Sequence, residues 1–356
     1  MAGERLWRAG AAVGRGAVKR VARGRREVVE WGGRMEARSP YLNERWPDTE
    51  WDVSGAFAYD RELLSFFDYC RLLLGFEPFH IVHGAPLCLW NSGRVMQHLL
   101  HSAEEIRAAG LAYEARKIAV FLTFSNQELR EEHLKDPLGN AICTFFTRHN
   151  PTGRNTVILA SDVLRDHLRR EFPQLRLISS ILKITKMGRK GDADAYRALA
   201  EEYDEVMLHP DDAFNFDMLE KLEEKDRYIV LINEYCIRNC PIRAFHSQTM
   251  SQMSLNYTGY DDTEFERRRS TNGCMNLLTL LASKDKGVLA LSTPEIERLY
   301  AMGFRHFKVQ GRGAPNAGPI SLDLLRLVLG RDTDDENAMH RNSQMFWESI
   351  LPHTEP

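Results

Sequence analysis

IVLINEYCIRNCPIRAFH, residues 229–246, opens as an unbroken apolar run and closes in a polar turn. Ile229 to Ile232 show no alternation of apolar and polar residues. A strand tolerates that pattern only when both of its faces are covered, as in a parallel sheet packed against helices. Cys236, Cys240 and His246 follow just past the strand end, and Cys274 comes later in RRRSTNGCMN.

The same pattern recurs on both sides of this stretch. Upstream are FHIVHGA (79–85), IAVFLTF (118–124), NTVILAS (155–161), LRLISS (175–180) and DEVMLHP (204–210). RYIVLIN (227–233) is then the sixth run, followed by GVLALST (287–293) and FRHFKVQG (304–311). Amphipathic helical segments separate them, among them SAEEIRAAGLAYEARK, DVLRDHLRREF, ADAYRALAEEY and PEIERLYAMG. Eight strand–helix units between residues 78 and 330 match the size and count of a single (β/α)8 TIM-type barrel. An open doubly wound sheet needs fewer strands or a domain break, and no Gly/Pro/Ser-rich linker divides the region.

The remaining segments are read around that barrel. Residues 1–45 form a basic N-terminal extension, with eight basic residues and one acid between Met1 and Arg26. A basic amphipathic helix there suits a membrane surface or RNA, and a solvated terminus is the competing reading. Residues 46–77 read as a helical cap, because DRELLSFFDYCRLLLG has helical spacing and ends at Gly75. The barrel, 78–330, carries a cysteine-bearing insertion at 234–286, and 331–356 is a tail.

With 43% hydrophobic and 27% charged residues among 356, the chain has the composition of a globular protein with a substantial core. A formal net charge of -3 gives no whole-protein field for DNA. There is no bilayer-length apolar run and no secretory-signal core, so the expected compartment is the cytoplasm. Thiols stay reduced there, and the six cysteines are read as core packing or metal ligands.

In such a barrel the functional groups gather at the C-terminal strand ends. These ends deliver His83, Cys88, Asn91, Arg94, Asn126, His209, Asn233, Glu234, Lys308, Gln310 and Arg312. The mouth is polar and rich in cations, suited to an anionic small molecule held by Arg312, Arg94 or Lys308. Catalytic roles fall to Arg312, Lys308, His83, Asn233 and Glu234. Substrate binding falls to Arg94, Asn91, Asn126, His209 and Gln310. Each has a bland alternative: histidines at strand ends are often structural, and loop asparagines often satisfy backbone groups.

Cys236 and Cys240 lie four apart, and Cys274 follows after 33 intervening residues. A zinc ribbon needs two close pairs, and a radical-SAM triplet is excluded by Arg243. Three thiolates with a fourth ligand from elsewhere suit an iron–sulfur cluster or a Cys3His zinc site. Cys88 and His246 are candidates for the fourth position, with Cys143 behind them. Ordinary reduced thiols in a loop are the alternative. No GxSxG elbow, Walker loop, HExxH or dinucleotide fingerprint is present.

FRHFKVQGR, at the last strand, is similar to the FKxxGR element of the collagenase-like peptidase family (peptidase family U thirty-two). NEYCIRNCP followed by a later cysteine resembles a variant of that family's cysteine set. The resemblance spans roughly residues 78–330. It implies a TIM-barrel-like catalytic domain. Several branches of that family are oxygen-independent hydroxylases that act on ubiquinone precursors or RNA bases. Those branches hold a [4Fe–4S] cluster on four cysteines and use prephenate as oxygen donor. By matching position, Cys236, Cys240 and Cys274 become cluster ligands, and Lys308 and Arg312 belong to the FKxxGR element. The hydroxylases' characteristic cysteine run is absent here, which leaves the fourth ligand and the oxygen donor open. The functional expectation is an iron–sulfur oxidoreductase, hydroxylase-like, acting on an anionic or aromatic small molecule. A peptidase-type hydrolase and a non-enzymatic binding protein are the alternatives.

Overall fold

The computed structural model describes residues 46, 48–75, 77–91, 102–255, 267, 288–311, 320 and 324. For 73–74, 235–237 and 288–290 it describes the backbone alone. Arg94, Cys274, Arg312, the basic extension and the tail lie outside these residues.

The strands, in chain order, are β1 (Glu50–Ser54), β2 (Ile81–Gly84), β3 (Ala119–Phe124), β4 (Thr156–Leu159) and β5 (Arg176–Ser179). Then come β6 (Glu205–Met207), β7 (Tyr228–Leu231), β8 (Asn233–Ile237), β9 (Val288–Ala290) and β10 (His306–Val309). Eight of them close a barrel in the order β1-β10-β7-β6-β5-β4-β3-β2, and every pairing is parallel. β8 and β9 form a separate antiparallel ribbon. Helices lie between strands: α1 (Asp60–Leu74), α2 (Ala103–Ala115), α3 (Pro137–Arg148), α4 (Asp162–Glu171) and α5 (Ile181–Met187). They continue with α6 (Ala193–Glu202), α7 (Phe216–Glu220), α8 (Arg243–Leu255) and α9 (Thr293–Ala301). This is the expected TIM-type barrel.

The pleat sorts side chains onto two faces. Val53, Val82, Leu122, Val157, Val206, Val230, Phe307 and Val309 join the large cluster packed beneath the helices. Ile81, Phe121, Ile158, Ile178, Met207 and Ile229 form a smaller cluster inside the barrel. Both faces are apolar along most strands, which is why the runs look continuous in sequence.

Helix boundaries follow local chemistry. Ser102 caps α2 in a capping box with Glu105, and Asp136 caps α3 with Pro137 in the first turn. Ser161, Ser180 and Ser292 cap α4, α5 and α9. Their hydroxyls serve helix ends rather than the barrel mouth. α1 ends where Gly75 adopts φ 81 and returns its N–H to Arg71. Gly139 lets α3 approach the Trp90 ring, since a β-carbon there would stand 2.6 Å from it. No helix among the described residues is long and apolar enough to cross a membrane.

Two strand assignments need correction. The segment 46–77, expected as a helical cap, supplies β1, the first barrel strand. EWDVS alternates Trp51 and Val53 outward with Asp52 and Ser54 inward, so it lacks the continuous apolar run. GVLALST, expected as the seventh barrel strand, supplies β9 of the ribbon instead. β10 already occupies the edge of β7, where Ile232 donates its N–H to the Lys308 carbonyl at 3.0 Å. The chain then bends outward into β8.

Candidate functional site

The centre of the site is a residue that the sequence reading passed over. Asp52 has no solvent exposure. It stands on β1 directly opposite Lys308 on β10, and two positions before Ser54, which is opposite His83 on β2. Three adjacent strands therefore point a carboxylate, an imidazole and an ammonium at one another. Asp52 Oδ1 lies 2.6 Å from His83 Nδ1, and Asp52 Oδ2 lies 2.7 Å from Lys308 Nζ. Both contacts have the short length of charge-assisted hydrogen bonds.

Burial alone would raise the Asp52 pKa. The charges of His83 and then Lys308, with the His83 hydrogen bond, reverse that and hold the carboxyl well below its ordinary range. Asp52 is a buried anion, and it fixes Nδ1 of His83 on itself. Nε2 of His83 is then the ring nitrogen on the side away from Asp52. Lys308 is a buried cation whose charge Asp52 balances. With His83 neutral the centre carries no net charge; with His83 protonated it carries one positive charge.

Around the mouth most other expected residues are committed to structure. Asn233 donates from Nδ2 to the Gln310 carbonyl at 2.9 Å and accepts the Gln310 N–H at 2.7 Å. Its amide imitates a peptide and ties the start of β8 to the end of β10. Asn126 donates to the Asn91 and Ser251 carbonyls and to Ser254 Oγ. It thereby joins the loop after β2 to the C-terminal half of α8. Asn91 donates to the Pro86 carbonyl at 3.0 Å. Asn91 and Asn126 thus both hydrogen-bond backbone carbonyls.

Glu234 pairs with Arg243 at 2.6 Å, both largely buried. His209 is buried, and its Nδ1 accepts the Asp211 N–H at 3.2 Å. Burial first, and then the positive charge of Arg243, push its pKa down to about 3. It is a neutral acceptor at ordinary pH. Asp211 also accepts from Lys190 at 3.0 Å and from the Asn239 N–H at 2.9 Å. This latch holds the turn just before Cys240 against the loop after β6.

Of the proposed metal donors, Cys88, Cys240 and His246 have described side chains. Among the described residues no group of three or more His, Cys, Asp or Glu stands close enough to hold a metal ion. Cys236 is described by its β8 backbone alone, and Cys274 lies outside the described residues. Cys240 is partly buried in the turn after β8, and His246 is partly buried on α8. Cys88 belongs to the outer apolar core together with Cys143. Burial, then the Asp136 charge, drive its thiol pKa far up. That environment suits a protonated packing thiol.

Asp52 escaped sequence reading because a lone carboxylate in a five-residue strand looks like surface. The signal was WDVSG, residues 51–55: period-two alternation closed by Gly55, which adopts φ 98.

Compared with known proteins, the chain matches no protein-family model and no curated protein. Among solved structures it is similar to the U32 peptidase Mk0906, at 13% sequence identity and a TM-score of 0.48. The likeness covers 75% of this chain and 94% of that one.

Proposed function

We propose that the chain is a barrel enzyme that transfers a proton to or from a small anionic or aromatic molecule at the C-terminal mouth of its strands. One observation carries this reading: a fully buried carboxylate, Asp52, holding His83 and Lys308 at hydrogen-bond distance on three neighbouring strands. A buried carboxylate on one imidazole nitrogen fixes the ring and raises the basicity of the other, which is the arrangement of a general base. Lys308 adds a fixed positive charge where negative charge would develop on the substrate. It also lies in FKVQGR, the element that resembles the collagenase-like peptidase family.

Solvent-deuterium incorporation tests the reading. A panel of small carboxylates and phenols in heavy water, followed by proton NMR, should reveal a substrate that gains deuterium with the wild-type chain. His83→Ala should abolish the exchange. Full exchange in that variant removes His83 from the chemistry.

The oxidoreductase form of this reading adds a [4Fe–4S] cluster on Cys236, Cys240 and Cys274, with Cys88 or His246 as fourth ligand and zinc as the alternative metal. Its support is the pair of thiols four residues apart directly beyond β7. Such a cluster would supply electron transfer when bound. Iron and sulfide assayed in an air-free preparation decide it: near-equal amounts support the cluster, and their absence removes it. A hydrolase would use the same His83 to deprotonate water.

A further inference from the structure

A second imidazole stands on the wall that faces His83. Three strands separate β6 from β2 either way round the barrel, so the two lie directly across it. Val206 and Leu208 belong to the outer cluster and Met207 to the inner one. His209 therefore continues the inward face one step beyond Met207, towards the mouth. The loop after β6 fixes this residue at three points. Its N–H donates to Tyr196 Oη at 2.8 Å, and its carbonyl accepts the Asp212 N–H at 2.8 Å. Its Nδ1 accepts the Asp211 N–H at 3.2 Å. A backbone N–H can only donate, so Nδ1 offers its lone pair and the ring proton resides on Nε2. Asp52 imposes the opposite tautomer on His83, whose Nδ1 faces a carboxylate. The Asp211 carboxylate stands 3.6 Å from His209 Nδ1, but Lys190 and the Asn239 N–H engage it. His209 Nε2 donates to no described residue, and it is not sealed in. It differs there from Nε2 of His306, which is enclosed without a partner. The 3% of its surface that His209 keeps exposed thus includes this N–H, at the mouth.

We infer that His209 is a second catalytic residue of this site, an uncharged Nε2–H donor to the substrate oxygen on which negative charge gathers. The inference rests on the proton-transfer reading above and adds the group that stabilises its product. In the step itself a substrate C–H bond breaks and the proton passes to Nε2 of His83. The electron pair stays on the substrate, delocalised onto the oxygen that His209 faces. The reverse step restores the bond with a proton from solvent. Environment divides the two roles. Asp52 makes His83 the base. Burial, then the charges of Arg243 and Lys190, keep His209 neutral against the opposing charge of Asp211. A neutral imidazole donates a hydrogen bond without giving up its proton, so it stabilises the new anion and does not quench it.

Two measurements test this. Nitrogen-15 NMR of the full chain carrying labelled histidine reads the tautomer, with the signal lost in His209→Gln identifying the residue. Nε2 should carry the proton and Nδ1 none, unchanged between about pH 5 and 8. A proton on Nδ1, or titration within that range, overturns the inference. The second measurement is the rate of deuterium exchange of the compound that exchanges with the wild-type chain. His209→Leu should lower kcat about a hundredfold, the loss expected for one donor to a developing oxyanion, with KM changing far less. His209→Gln, whose amide N–H reaches the place of Nε2, should regain part of that loss. Wild-type kcat in His209→Leu overturns the inference and leaves His83 standing as the base. A loss that His209→Gln shares in full overturns it too, as a purely structural role. If no compound exchanges with the wild-type chain, the proton-transfer reading falls and takes this inference with it.

Discussion

Asp52 is the residue on which the barrel interior turns. It is ionised, enclosed, and balanced by one partner on each neighbouring strand. Removing one member of a buried pair leaves the other charge uncompensated, at a cost of about 3–5 kcal/mol. Urea unfolding of Asp52→Asn and of Lys308→Met should each show a loss of that order, with the double variant losing less than the sum. A single-variant loss under about 1 kcal/mol excludes the pairing as a structural anchor. His209 makes a separate, pH-dependent prediction. Its folded pKa, about 3, is below the ordinary value of 6.5, so the unfolded chain binds a proton that the folded chain refuses. The contribution of neutral His209 is therefore intact above about pH 6.5 and is lost as pH falls towards 3. His209→Gln should flatten the acid limb of a stability–pH curve between those values. An unchanged limb refutes the assignment. At this scale the sequence exposed His83 and Lys308, because each sits at the end of an apolar run. Asp52 stayed hidden, because its burial depends on a lysine 256 positions away.

Elements were more legible than their partners. Seven of the eight expected runs became barrel strands, since only parallel strands covered on both faces leave such continuous apolar stretches. The remaining run, 287–293, carries β9, and a short apolar run looks alike in a barrel or a ribbon. What separates the two is the bend between β7 and β8, and the Asn233 amide pins that bend to Gln310. Asn233→Ala removes both hydrogen bonds and leaves the Gln310 backbone to find others, at a cost of about 1–3 kcal/mol. Hydrogen exchange should accelerate at 233–237 and at Gln310, while the strands on the far side, β3 and β4, keep their protection. Equal acceleration throughout the barrel would argue against a local clamp. The caps are a second lesson: Ser161, Ser180 and Ser292, carried by the expected strand runs, start helices.

For the whole molecule, the boundary of the fold lies further towards the N-terminus than composition indicates. β1 seals the barrel between β2 and β10, so the segment 46–77 is part of the core. A chain starting at residue 46 should unfold cooperatively, with a Tm near that of the full chain. A chain starting at residue 56, lacking β1, should lose the cooperative transition, because it exposes two strand edges and strips Lys308 and His83 of their carboxylate. Cooperative melting of the shorter chain refutes the closure. The first strand is also the last to be completed. On the ribosome, Asp52 waits for a lysine 256 residues downstream, and at about 5–20 residues per second that takes roughly 10–50 s. Until β10 emerges, the nascent sheet carries an unneutralised carboxylate on its inner surface and an unpaired edge on β1. Both keep that surface exposed to water, so that closure awaits the emergence of β10.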